Sequence, residues 1–151
     1  LDFSQDRGLL TLTGNSGTLT VVDTTAPVPG NSGLITTSLV GQNTLTLNWT
    51  EATDAVWAQN TLEYQIYRSL SNNINSIANA EANGLVQASY TADLSTFEVS
   101  GPAITCNTTF YFSIIVRDGS LLKGFYPSIS QATSVCGAPS GAPGATQIKV
   151  R

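Results

Sequence analysis

Between Thr44 and Glu51 the chain alternates strictly. Leu45, Leu47 and Trp49 fall on one side, and Thr44, Thr46, Asn48 and Thr50 on the other. Period two with one apolar face predicts a half-buried β-strand. The same reasoning predicts strands over Leu34 to Val40, Leu62 to Ser69, Leu85 to Thr91, Thr96 to Ser100, Thr109 to Asp118, and about Pro127 to Val135. The stretch from Thr109 is the longest and most apolar. Phe110, Phe112, Ile114 and Val116 share one face, and Tyr111, Ser113, Ile115 and Arg117 the other. One segment breaks the period. Residues 72–84 are rich in Asn and Ala, and Ile74, Ile77 and Ala78 stand at helical spacing. Asn residues offer a cap and Gly84 a stop, so one short helix in a crossover is expected.

The two ends read differently from the middle. Leu9 to Thr13 and Thr18 to Asp23 are β-like runs around Gly14-Asn15-Ser16-Gly17, a turn sequence. They predict a hairpin, or the last strands of a preceding domain. The same four letters return at Gly30 to Gly33 without a wider repeat. Asp23 to Gly30 contains Pro27 and Pro29, which break a regular ladder and predict an extended linker or domain lead-in. Residues 137–144 are a Gly/Ala/Pro linker, and Ala145 to Val150 is strand-like again. Three regions result: a strand or hairpin extension over 1–22, a sandwich over 23–136, and a linker with a strand-like end over 137–151. The length of 151 residues suits one sandwich of roughly 90–110 residues with extensions.

Composition narrows the setting. Charged residues make up 11% of the chain, under half the usual share of about 25%. Ser, Thr, Asn and Gly fill the gap, a surface better suited to an extracellular protein. Net charge is −4 with two lysines, Lys123 and Lys149. So few cations cannot neutralise a phosphate backbone or cling to an anionic bilayer, so no nucleic-acid partner is expected. No apolar run approaches the ~20 residues that span a bilayer. The start at Leu1 and the absence of Met read as a processed or truncated product. Two cysteines, Cys106 and Cys136, read as a disulfide, with two separate buried thiols as the alternative. A bridge would place the chain in an oxidising compartment, secreted or at the cell surface.

Seven strands with a Trp on the second, a Tyr-rich third and a long sixth resemble the fibronectin type III family, over residues 23–135. The resemblance is to the version found in bacterial surface proteins. It rests on Asp23-Thr24-Thr25-Ala26-Pro27, on Leu47-Asn48-Trp49-Thr50-Glu51-Ala52-Thr53-Asp54, on Tyr64-Gln65-Ile66-Tyr67-Arg68, and on the insert from Asn72 to Gly84. It implies an all-β fold, a seven-stranded antiparallel β-sandwich of the fibronectin type III or immunoglobulin-like kind. Two features depart from the family. The early position of the sixth strand, where a Tyr hydroxyl usually bonds back to the backbone, is Phe110. The turn after that strand, Asp118 to Tyr126, reads as long and apolar instead of short and polar. The family topology also puts Cys106, before the sixth strand, and Cys136, after the seventh, at one pole. A bridge there would close a loop of about 30 residues, worth roughly 3–4 kcal/mol by chain entropy.

Candidate chemistry is sparse. The chain has no histidine, which removes Ser-His-Asp and Cys-His catalysis and every His-metal site. Neither Lys123 nor Lys149 sits in a Ser-Lys motif. Asp54 and Asp118 could share a pole as a glycosidase pair does, yet a sandwich end rarely forms a deep cleft. No enzyme is expected, and no cofactor. The alternative is Ca²⁺, because Asp23, Glu51, Asp54 and Asp118 should all lie near the N-terminal pole. Turn and capping chemistry explains such residues equally well, and no spacing matches a dedicated calcium loop. Asn48-Trp49-Thr50 and Asn107-Thr108-Thr109 match the glycosylation pattern by residue type alone.

Val56 and Trp57, after the second strand, and Leu121, Leu122, Phe125 and Tyr126, after the sixth, are expected to form an apolar interaction pole. They either pack beneath residues 1–22 or bind another molecule. The function expected is a non-catalytic extracellular structural module, a filament or surface-assembly subunit joined by strand exchange through its termini. Its partners would be other copies of itself or neighbouring domains. The alternative is an adhesion module that grips a protein or glycan ligand through the loops around Trp57 and Phe125.

Overall fold

The computed structural model describes residues 9–13 and 18–137. Strands β1 (Leu9–Thr13) and β2 (Thr18–Val22) pair antiparallel as a separate two-stranded sheet, with Thr11 opposite Thr20. The expected turn between them, and the strand-like end after the tail linker, lie outside the described residues.

Seven further strands form two antiparallel sheets. The smaller has the order β3 (Ile35–Ser38), β4 (Thr44–Trp49), β7 (Thr96–Ser100). The larger has the order β6 (Leu85–Ala92), β5 (Glu63–Ser69), β8 (Thr109–Arg117), β9 (Lys123–Ala132). The alternation read from the sequence sets the faces. Leu45, Leu47 and Trp49 of β4 are buried against Tyr64, Ile66, Phe110, Phe112, Ile114 and Val116 of the larger sheet. Trp49, Tyr64 and Tyr126 form a chain of tilted aromatic contacts through this core, with centroids 5.8 and 6.3 Å apart.

The larger sheet is covered on its outer face as well. Helix α1 (Ile77–Asn83) begins at Ser76, whose side chain accepts from the Asn79 N–H, and ends before Gly84. Ile74, Ile77 and Ala80 cluster with Tyr67, Ile115, Tyr90, Tyr111 and Phe125. Lys123 pairs with Glu81 and ties β9 to the helix. This second layer corrects one reading. The run from Asp118 to Tyr126 is not a long apolar turn, because β9 already begins at Lys123. Its register sets Lys123 opposite Arg117, Phe125 opposite Ile115 and Tyr126 opposite Ile114. Tyr126 fills the core and Phe125 packs with the helix cluster, so apolar residues on both faces belong to a strand covered on both sides. The true turn is short, Asp118 to Leu122, closed by bonds from Asp118 N to Leu122 O and from Leu121 N to Asp118 O.

The segment from Asp23 to Gly30 is anchored to the sandwich. Val28, between two prolines that have no N–H to offer, exchanges both backbone hydrogen bonds with Thr53, at 2.8 and 3.0 Å. Pro27 is buried, with its carbonyl directly over Gly124. A Cβ at Gly124 would stand 2.1 Å from that carbonyl oxygen, so the close approach requires glycine.

Candidate functional site

Two poles of the sandwich carry the residues that stand out from the core. At one, Cys106 and Cys136 form the disulfide, with Cα atoms 5.1 Å apart. It joins the segment before β8 to the segment after β9. Asn107 N donates to Ser134 O, and Thr133 Oγ1 donates to Thr105 O, so the bridge reinforces an existing ladder. Arg68 lies buried at this end, its guanidinium 4.9 Å from the Phe110 ring centroid and Nη1 donating to Ala103 O. Phe110 itself is buried and has no hydroxyl to return to the backbone. Two tyrosines elsewhere take over that kind of contact. Tyr126 Oη donates to Thr50 O at 2.7 Å, and Tyr64 Oη accepts from Ala52 N at 2.8 Å. Together they hold the corner after β4. Burial pushes the Tyr126 phenol far above its ordinary pKa, which keeps it a neutral donor.

At the opposite pole three acids from three segments converge. Asp23 comes from the lead-in, Asp54 from the loop after β4, and Asp118 from the end of β8. One carboxylate oxygen from each lies within 4.8 Å of the other two. The folding reasons are local: the Val28–Thr53 bridge fixes the lead-in beside the loop, and the Pro27–Gly124 contact fixes it beside β9. Glu51, expected nearby, is not a member of this group.

Each carboxylate is oriented by N–H or O–H donors. Asp54 Oδ1 accepts from Val56 N at 2.8 Å and Trp57 N at 2.9 Å. Asp118 Oδ1 accepts from Leu122 N at 2.9 Å. Asp23 Oδ1 accepts from the Thr25 amide and hydroxyl, and its Oδ2 accepts from the Trp57 indole at 2.9 Å. The second oxygens of Asp54 and Asp118 are buried and take no hydrogen bond. Asp118 is 1% exposed. Burial, aided by the nearby charges of Asp23 and Asp54, pushes its carboxyl above the usual range, against the pull of the Leu122 and Ser120 amides. For Asp23 burial also pushes upward, but the bonds from the Thr25 amide and hydroxyl and the Trp57 indole outweigh it and the net direction is down. Opposite shifts on adjacent acids are the pattern of two like charges crowded into one site, where one carboxyl holds its proton more tightly than the other.

Trp57 is the residue whose role the sequence did not disclose. It touches all three segments: its backbone binds Asp54, its indole nitrogen binds Asp23, and its ring lies on Gly119, where a Cβ would come within 2.3 Å. The signal available was an Asp three residues before a Trp, the spacing at which a carboxylate caps the following backbone.

The six residues expected to form an interaction pole occupy different environments. Val56 and Leu121 are exposed, Trp57 and Leu122 are half-buried, Phe125 packs with the helix cluster, and Tyr126 is core. Of the six, only Val56, at 39%, and Leu121, at 63%, are exposed. No helix among the described residues is long and apolar enough to cross a membrane.

No family profile and no curated protein sequence matches the chain. Solved structures do. The fibronectin type III domain from human KIAA0970 protein aligns with a TM-score of 0.51 at 11% identity, over 75% of this chain and 82% of that one. The fn3 domain of human contactin 1 gives 0.50 at 12% identity, over 86% and 98%. The chicken CNTN1 FN1–FN3 domains give 0.50 at 13% identity, over 72% of this chain and 33% of theirs. With three- and four-stranded antiparallel sheets in the order described, the chain has a fibronectin type III-like β-sandwich fold.

Proposed function

We propose that this chain is a non-catalytic extracellular module whose work is mechanical, a structural subunit joined to neighbouring copies by strands added to its sheet edges. The observation that carries this is β6. It is an eight-residue edge strand with no charged residue and no proline, and no described strand pairs with its outer side. Leu85 and Val86 at its start are exposed. Natural edges are usually blunted by charge, proline, bulges or cover, and the absence of charge and proline from this one suits strand addition. Two register shifts bend its pairing with β5 without covering it. The strand-like ends of the chain, set on Pro/Gly linkers, supply segments to add. The disulfide fits an oxidising, extracytoplasmic setting.

Deletion of residues 137–151 tests this by light scattering and analytical ultracentrifugation. The expected product is a folded monomer that no longer assembles. Assembly unchanged by the deletion contradicts strand exchange. A second reading, adhesion to a protein or glycan, is favoured by exposed Val56 and Leu121 on neighbouring loops. For that reading, Val56→Ser with Leu121→Ser should abolish ligand capture and leave assembly intact.

A further inference from the structure

The geometry points to a calcium-binding site formed by Asp23, Asp54 and Asp118, one that clamps the lead-in segment to the loops after β4 and β8. Three features carry it, and none depends on how the module assembles. The first is distance. Two oxygens on one Ca²⁺ can be no farther apart than about twice the 2.3–2.6 Å bond, and these three lie within 4.8 Å of one another. The second is the state of Asp118. Its side chain is buried, one oxygen is fixed by the Leu122 amide, and the other accepts nothing. Asp54 repeats the arrangement, with Oδ1 held by two amides and Oδ2 buried and unpartnered. A desolvated carboxylate oxygen without a donor is unfavourable, and a bound cation removes that penalty. The third is charge. The described cations are committed elsewhere: Arg117 to Glu63, Lys123 to Glu81, and Arg68 to Ala103 O and the Phe110 ring.

The donors already present act as an outer shell. Amide N–H groups fix one oxygen of Asp54 and of Asp118 and leave the other for the ion. An all-oxygen, carboxylate-rich set from three separate segments suits calcium, which accepts irregular geometry, better than magnesium, which demands a tight octahedron. The remaining coordination positions would go to water.

The rival occupant is a proton shared between Asp23 and Asp118. The two are separated by titrating the chelator-treated full chain with CaCl₂, followed by calorimetry and thermal unfolding. At ten times Kd, calcium should raise the folding equilibrium about tenfold, a shift of a few degrees in Tm. Terbium should displace calcium and luminesce on excitation of Trp57, and Trp57→Phe should lose most of that luminescence. Asp118→Asn keeps the acceptor for Leu122 and can donate to Asp23, so it should fold and should lose the calcium response. Asp54→Asn should weaken the response by at least tenfold. No heat and no Tm change at 10 mM CaCl₂ would overturn the site in favour of the shared proton. So would a calcium response that persists undiminished in Asp118→Asn.

Discussion

The two ends of this sandwich are fastened by opposite means. At the cysteine pole the closing contact is covalent, and every nearby polar group named above has a partner except Arg68 Nε. At the aspartate pole the closing contacts are carboxylates that three segments bring together, and two buried oxygens are left over. A disulfide fixes its pole once, on oxidation. A cluster of acids adds to the contacts already holding its pole only when something positive binds it. The comparison teaches that a fold of common architecture can carry one permanent and one conditional fastening, and that the conditional one is where regulation can enter.

The largest effect is expected at the permanent end. Cys106→Ser with Cys136→Ser opens a 30-residue loop and should destabilise the domain by roughly 3–4 kcal/mol in chemical denaturation. A loss below about 1 kcal/mol would mean that the surrounding ladder alone holds this pole. Next comes Gly124→Ala, which drives a Cβ into the Pro27 carbonyl and should lift the lead-in away from β9. A cost of about 1–3 kcal/mol is expected, together with loss of the Trp57 fluorescence environment. An unchanged spectrum would show that Asp23 is held without the Pro27 contact. Tyr126→Phe removes the bond to Thr50 O and should cost about 1–2 kcal/mol by thermal unfolding, with the disulfide intact. The smallest effect belongs to Leu121, which is exposed at φ +65°, a left-handed conformation that disfavours a side chain. Leu121→Gly should be neutral or stabilising by up to about 1 kcal/mol. If it destabilises, Leu121 makes a contact beyond the described residues.

Much of the architecture was legible because alternation is a local property. Leu45, Leu47 and Trp49 were placed inward by period two alone, and Thr96–Ser100 was bounded correctly. The start of the last strand was not legible. Phe125 and Tyr126 looked like loop because the helix that covers one face of β9 comes from a distant insert, and only that cover explains apolar residues on both sides. The aspartates were legible as pole-mates from the order of strands, whereas their mutual distances depend on Val28 and Gly124, whose roles emerge only in three dimensions. The Tyr64 and Tyr126 hydroxyl contacts were hidden for the same reason. Buried tyrosines need a partner, but sequence does not say which carbonyl or amide supplies it.

The most direct test of two separately fastened poles is amide hydrogen exchange on the oxidised chain, with calcium and with chelator. The account predicts slower exchange with calcium at Val56, Trp57 and Leu122, whose amides hold the aspartates, and no change at Asn107 and Ser134 beside the disulfide. Identical exchange at Val56, Trp57 and Leu122 in both conditions, or a uniform slowing across both poles, would contradict it.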